Sequence, residues 1–100
     1  MALVTSKEML TKARKGGYAV GAFNAENMEM VKAIIAAAEE LKAPVMIQTT
    51  PSTVKYGTSA TYAAIVKAEA EKASVPVCMH LDHGSSYELA EECIGNGYTS

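Results

Sequence analysis

The chain has 100 residues, 49% of them apolar, and a formal net charge of -2. That is material for one core in one domain or part of one, and without a basic block it argues against a nucleic-acid or anionic-membrane surface. Trp is absent and Phe occurs once, which disfavours stacking on bases. No apolar run approaches the roughly 18 residues of a membrane span, and no basic stretch leads into an apolar leader. Cys78 and Cys93 stand at no metal-ligand spacing and read as reduced core thiols, which suits a cytoplasmic protein.

In chain order, Thr5-Ser6-Lys7-Glu8 fits a capping box, and Met9, Leu10 and Ala13 give a short apolar face behind it. Gly16-Gly17 stops that helix. Tyr18 to Phe23 reads as the first strand. Asn24 can cap the next helix, whose stripe is Val31, Ile34, Ile35, Ala38 and Leu41. Pro44 closes the connection, and Val45-Met46-Ile47 opens the second strand. Residues 51–59, "PSTVKYGTS", read as a longer polar loop with room for one helical turn. Tyr62, Ile65, Val66 and Ala70 mark a further amphipathic helix. Pro76 starts the third strand, where a missing N–H costs least. Ser85-x-x-Glu88 is a second capping box, and Leu89, Ala90, Cys93 and Ile94 line the last helix. Gly95 and Gly97 end it, and Tyr98-Thr99-Ser100 reads as the opening of a fourth strand.

The order is one helix, then strand and helix three times. Such alternation predicts an α/β fold with parallel strands and crossover helices. Open doubly wound sheets and barrels share it, and the pattern does not separate them.

In parallel α/β folds ligands bind at the carboxyl ends of strands. The first strand ends on Asn24, the second on Gln48, Thr49 and Thr50, the third on Asp82, His83 and Ser85. Every strand therefore finishes on polar residues, all at one end of the sheet. Alternation puts Cys78, His80 and Asp82 on one face of the third strand and Val77, Met79, Leu81 and His83 on the other. A histidine at that rim can ligate a metal through one neutral ring nitrogen. A carboxylate beside it can exchange protons with a substrate. Each has a plainer reading: His83 as a loop residue, Asp82 and Asn24 as helix caps, Thr49 and Thr50 as turn residues. Hydroxyls there could also meet a phosphate, although no glycine-rich P-loop is present.

"GYAVGAFNAENMEMVKAIIAAAEELKAPVMIQTTPSTVKYG" and "VPVCMHLDHGSSYELAEECIGNGYTS" closely resemble the N-terminal part of the class II, metal-dependent fructose-bisphosphate aldolases and their tagatose-bisphosphate relatives. The "HLDHG" segment after a Pro-led strand and "GAFN" upstream of it carry most of that resemblance. It implies the N-terminal portion of a (β/α)₈ barrel. It also implies zinc-assisted reversible cleavage of a ketose bisphosphate to dihydroxyacetone phosphate and glyceraldehyde 3-phosphate. By the same resemblance His83 is a zinc ligand and Asp82 is the catalytic proton-transfer residue. Asn24 and Thr50 lie in the substrate site near the phosphate of the aldehyde half, and Gln48 lines the same region. Many relatives carry Ser where this chain has Thr50, and the hydroxyl is kept. His80, deeper in the strand, is expected to have an interior or supporting role. A dimer or tetramer and a monovalent-cation site also fall within what the resemblance implies.

A barrel of this kind takes roughly 250 residues. The family's other two zinc histidines and its glycine-rich loop for the ketone-half phosphate lie downstream of the matched region. The expectation is therefore one incomplete domain over residues 1–100, inactive by itself and prone to associate. A non-catalytic α/β module that keeps the pattern is the competing expectation, and fructose and tagatose bisphosphates, which differ at C4, are left open with a lean to fructose.

Overall fold

A computed structural model describes residues 2–100. Helix α1 (Ser6–Gly16) begins at Thr5, whose Oγ1 accepts the Glu8 N–H at 3.2 Å, and ends at left-handed Gly17, φ +72°. Met9 and Ala13 of its expected apolar face are buried, while Leu10 stays exposed. Strand β1 (Gly21–Asn24) is shorter than the expected Tyr18–Phe23 and shifted along the chain. The Tyr18 N–H still closes the end of α1 onto the Ala13 carbonyl, so sheet pairing begins only at Gly21.

Helix α2 (Met28–Leu41) is capped by Asn27, whose Oδ1 accepts the Met30 N–H at 2.8 Å. Asn24 is not the cap: three further residues separate strand from helix, and Asn24 remains in the sheet. Val31, Ile35 and Ala38 are buried and Ile34 partly so, but Leu41 is 76% exposed. Leu41 lies roughly 80° round the helical wheel from Val31, at the margin of the stripe.

Strand β2 (Val45–Thr49) leads into helix α3 (Pro51–Gly57), where a loop was expected. Pro51 sits in the first turn, where its missing N–H is harmless. Thr58, φ +70°, ends α3 and caps helix α4 (Ser59–Lys72), its Oγ1 accepting the Thr61 N–H at 3.3 Å. Gly57 meets the ring of Tyr62 so closely that an added Cβ would stand 2.6 Å from it. Strand β3 (Val77–Leu81) follows Pro76, whose carbonyl accepts the Val45 N–H. Helix α5 (Tyr87–Gly95) is capped by Ser86, one residue later than expected, through the Leu89 N–H at 3.1 Å. Ile94 faces solvent and Cys93 is buried. Residues 98–100 are not a regular strand, yet they run beside β3. The Thr99 N–H donates to the Met79 carbonyl, and the Leu81 N–H to the Ser100 carbonyl.

The sheet order is β1-β2-β3, all parallel. One face carries Val45, Ile47, Val77 and Met79 against Val31, Ile35 and Ala38 of α2 and Tyr62, Val66 and Ala70 of α4. The other face is built in rows set by the register. Ala22, Met46 and Cys78 align, and Met9 of α1 packs on Met46 and Cys78. One step toward the carboxyl end, Asn24, Gln48 and His80 align. The core thus lies below and behind a polar row that it does not cover.

Candidate active site

Each strand contributes one side chain to that polar row, because period-2 alternation and in-register pairing bring Asn24, Gln48 and His80 to the same face at the same height. Gln48 joins them to the turn that follows. Its Nε2 donates to Asn24 Oδ1 at 3.0 Å and to Asp82 Oδ2 at 3.2 Å. A carboxamide nitrogen has two hydrogens and an ionised carboxylate only accepts, so the Asp82 contact fixes which end of Gln48 faces it. Asp82 also extends the β2–β3 ladder by donating its N–H to the Thr49 carbonyl at 2.9 Å. Its side chain, 32% exposed, is reachable from solvent.

Two histidines flank this carboxylate. His80 Nε2 is 3.9 Å from Asp82 Oδ1, and its Nδ1 lies 2.9 Å from Ser100 Oγ. His83 Nε2 is 3.6 Å from Asp82 Oδ2, and the side chain is 80% exposed. Neither carboxylate contact is short enough for a hydrogen bond. His83 has φ +56°. That left-handed turn carries it out of strand alternation, so it reaches the Asp82 carboxylate although it begins on the opposite parity. Among the described residues no three His, Cys, Asp or Glu side chains converge on one point.

Thr50 belongs to a second cluster. Its Oγ1 lies 3.0 Å from Ser52 Oγ and 3.1 Å from Thr53 Oγ1. Thr53 Oγ1 donates in turn to the Glu26 carboxylate, with both oxygens at 2.9 Å. The Tyr62 hydroxyl donates to the Glu26 carbonyl at 2.9 Å. The two clusters touch through the backbone, since the Ala25 N–H donates to the Gln48 carbonyl. So the structure links Asn24, Gln48, Asp82 and His83 in one group, while Thr50 stands in its neighbour. Sequence reading missed Glu26 and Thr53. Thr53 is one helical turn beyond Thr50, and reading residues 51–57 as helix would have exposed the pair.

Other features lie away from this rim. Cys78 and Cys93 are buried, and burial pushes both thiols up from their ordinary value. They are therefore poor nucleophiles and poor metal ligands. An apolar groove of about 910 Å³ runs along β1 and α2 past Tyr18, Phe23, Ile34 and Leu41, but no cluster of titratable groups lines it.

The profile of the family described as "Fructose-bisphosphate aldolase class-II" matches residues 4–100. The chain belongs to that family. It is 51% identical over 98 residues to a fructose-bisphosphate aldolase of Thermus caldophilus, covering 98% of this chain and 32% of that protein. It is 47% identical over 103 residues to a fructose-bisphosphate aldolase of Geobacillus stearothermophilus, covering 100% of this chain and 36% of that one. The chain thus spans about a third of the length of the curated relatives it matches. Among solved structures, the YdjI aldolase of Escherichia coli K12 superposes with a TM-score of 0.89 at 33% identity, covering 96% of this chain and 38% of that one. The three βα units correspond to part of a class II aldolase barrel. On that correspondence the face of the sheet covered by α2 and α4 is the barrel's outside and the face bearing the Asn24–Gln48–His80 row is its inside.

Proposed function

We propose that this chain is the N-terminal third of a zinc-assisted aldolase that reversibly cleaves fructose 1,6-bisphosphate to dihydroxyacetone phosphate and glyceraldehyde 3-phosphate. The observation that carries this reading is Gln48 hydrogen-bonded to both Asn24 and Asp82 at the shared end of three parallel strands. Family membership supports the reaction class.

Retro-aldol cleavage breaks C3–C4. The C4 hydroxyl proton must leave as the C4 carbonyl forms, and the bonding electron pair stays on the ketone half. Asp82 is suited to take that proton. Gln48 holds its Oδ2, while Oδ1, 3.9 Å from His80 Nε2, would meet the substrate hydroxyl. Zinc, when bound, supplies Lewis-acid stabilisation to the charge on the ketone half. His83 would hold it through an exposed imidazole nitrogen. A catalytic zinc takes about three protein ligands, and the others would come from residues outside this chain. Asn24 and Thr50 would meet the aldehyde half and its phosphate, with Gln48 keeping Asn24 in place. The working enzyme would be a cytoplasmic dimer or tetramer.

The test is Asp82→Asn in the full-length enzyme carrying this chain. A neutral amide keeps the shape but cannot accept the proton, so kcat should fall by about 10²–10⁴-fold. KM and bound zinc should stay near their starting values. Retention of kcat would remove Asp82 from proton transfer.

A further inference from the structure

We propose that Glu26 is a positioning residue for the aldehyde-half phosphate, acting on Thr50 through Thr53; this rests on the reading of Thr50 as a substrate contact. Thr53 has one hydroxyl proton and is 2% exposed, so water does not compete for it. The Glu26 carboxylate can only accept, and both its oxygens lie 2.9 Å from Thr53 Oγ1. Thr53 must therefore donate to Glu26, and its oxygen is left to accept from Thr50 at 3.1 Å. Held by Thr53 on one side and by Ser52 on the other, Thr50 Oγ1 has a fixed place. Without these partners a threonine hydroxyl can rotate among staggered positions. When an anion arrives, the single Thr50 proton can leave Thr53 and turn toward it about Cβ–Oγ1, and the Ser52 hydroxyl, 3.0 Å away, can donate to Oγ1 and keep the oxygen where Thr53 had set it.

Glu26 is itself anchored. Its carbonyl accepts from Tyr62, and the preceding Ala25 N–H donates to the Gln48 carbonyl. The carboxylate thus ties the turn after β1, which follows Asn24, to the start of α3, which follows Thr50. Its negative charge is wrong for touching a phosphate, so its role is to hold the hydroxyl from behind.

The experiment measures steady-state kinetics of the full-length enzyme on fructose 1,6-bisphosphate, with competition by inorganic phosphate. Glu26→Ala and Thr53→Val should each raise KM about 3–10-fold with kcat within two-fold, the size of effect expected from one misplaced hydrogen bond. Inhibition by phosphate should weaken in parallel. Thr53→Ser, which keeps the hydroxyl, should restore both values. In a Thr50→Ala background, Glu26→Ala should change nothing further. If Glu26→Ala does not fold, judged by its thermal transition, Thr53→Val and Thr53→Ser carry the comparison. An unchanged KM in Glu26→Ala or Thr53→Val, with Thr50→Ala raising it, would overturn the positioning role alone. An unchanged KM in Thr50→Ala would overturn the underlying reading and this proposal with it. A further rise in the double variant would show that Glu26 acts by another route and would likewise overturn it.

Discussion

His83 holds its imidazole at the rim by adopting a left-handed backbone, φ +56°, that L-residues with a side chain occupy at a cost. The conformation brings His83 and Asp82 together despite their opposite strand parity. His83→Gly should therefore stabilise the fold by about 0.5–1 kcal/mol, since glycine takes that conformation without penalty. The same variant should lose zinc on dialysis. A rise in chemical-denaturation stability together with a fall in metal content would show that function, not folding, keeps histidine there. A second residue gives a pH signature. Tyr98 is buried against Thr49, with their hydroxyl oxygens 2.7 Å apart, and burial pushes its phenol up to about 12. A folded-state pKa above the unfolded value near 10 means that stability is intact below about pH 10 and falls as pH rises toward 12. The buried thiols of Cys78 and Cys93 are shifted in the same direction and add to the loss. Tyr98→Phe should flatten the alkaline part of the stability curve while costing about 1 kcal/mol at neutral pH for the lost hydrogen bond. An unchanged alkaline slope would assign the loss to other groups.

Among the elements, α1, α2, α4 and the three strands were legible because each carries a strong local signal. Thr5 and Gly17 mark the ends of α1, the three-and-four spacing of Val31, Ile35 and Ala38 marks α2, and Pro76 introduces β3. What escaped was set by contacts between elements. Helix α3 looks polar because it buries only Thr53 and Val54, and Thr53 is buried through the Glu26 carboxylate from another loop. Asn24 and Asn27 are equally good caps in composition, and only the sheet register, which holds Asn24 opposite Gln48, decides between them. Of the candidate site residues, Asp82, His83, Asn24, Gln48 and Thr50 were each visible as polar strand ends. The bond from Gln48 to both Asn24 and Asp82 was not, because strand order has to be known before neighbours can be assigned. Packing of α3 on α4 gives a prediction at this scale. Gly57→Ala would push a methyl group into the Tyr62 ring and should cost about 1–3 kcal/mol. Tyr62 also anchors Glu26, so KM should rise alongside the drop in thermal midpoint. A neutral substitution would show that the ring can step aside.

At the scale of the whole molecule, the three-stranded sheet has apolar surface along its β1 side. Phe23 is 53% exposed and shares an apolar groove with Tyr18, Leu41 and Pro44. An unpaired edge beside such a surface invites association. A polypeptide of these 100 residues alone should sediment as associated species, and a clean monomer would show that the face is tolerated in water. In the family's barrel architecture, further βα units close the sheet. If the polar strand ends form one part of a zinc-assisted aldolase site, cleavage of fructose 1,6-bisphosphate by the full-length enzyme, measured with and without a chelator and again after zinc is restored, should be abolished by the chelator and returned by zinc. Cleavage indifferent to the chelator, or no cleavage by a folded, zinc-loaded enzyme, would rule that site out.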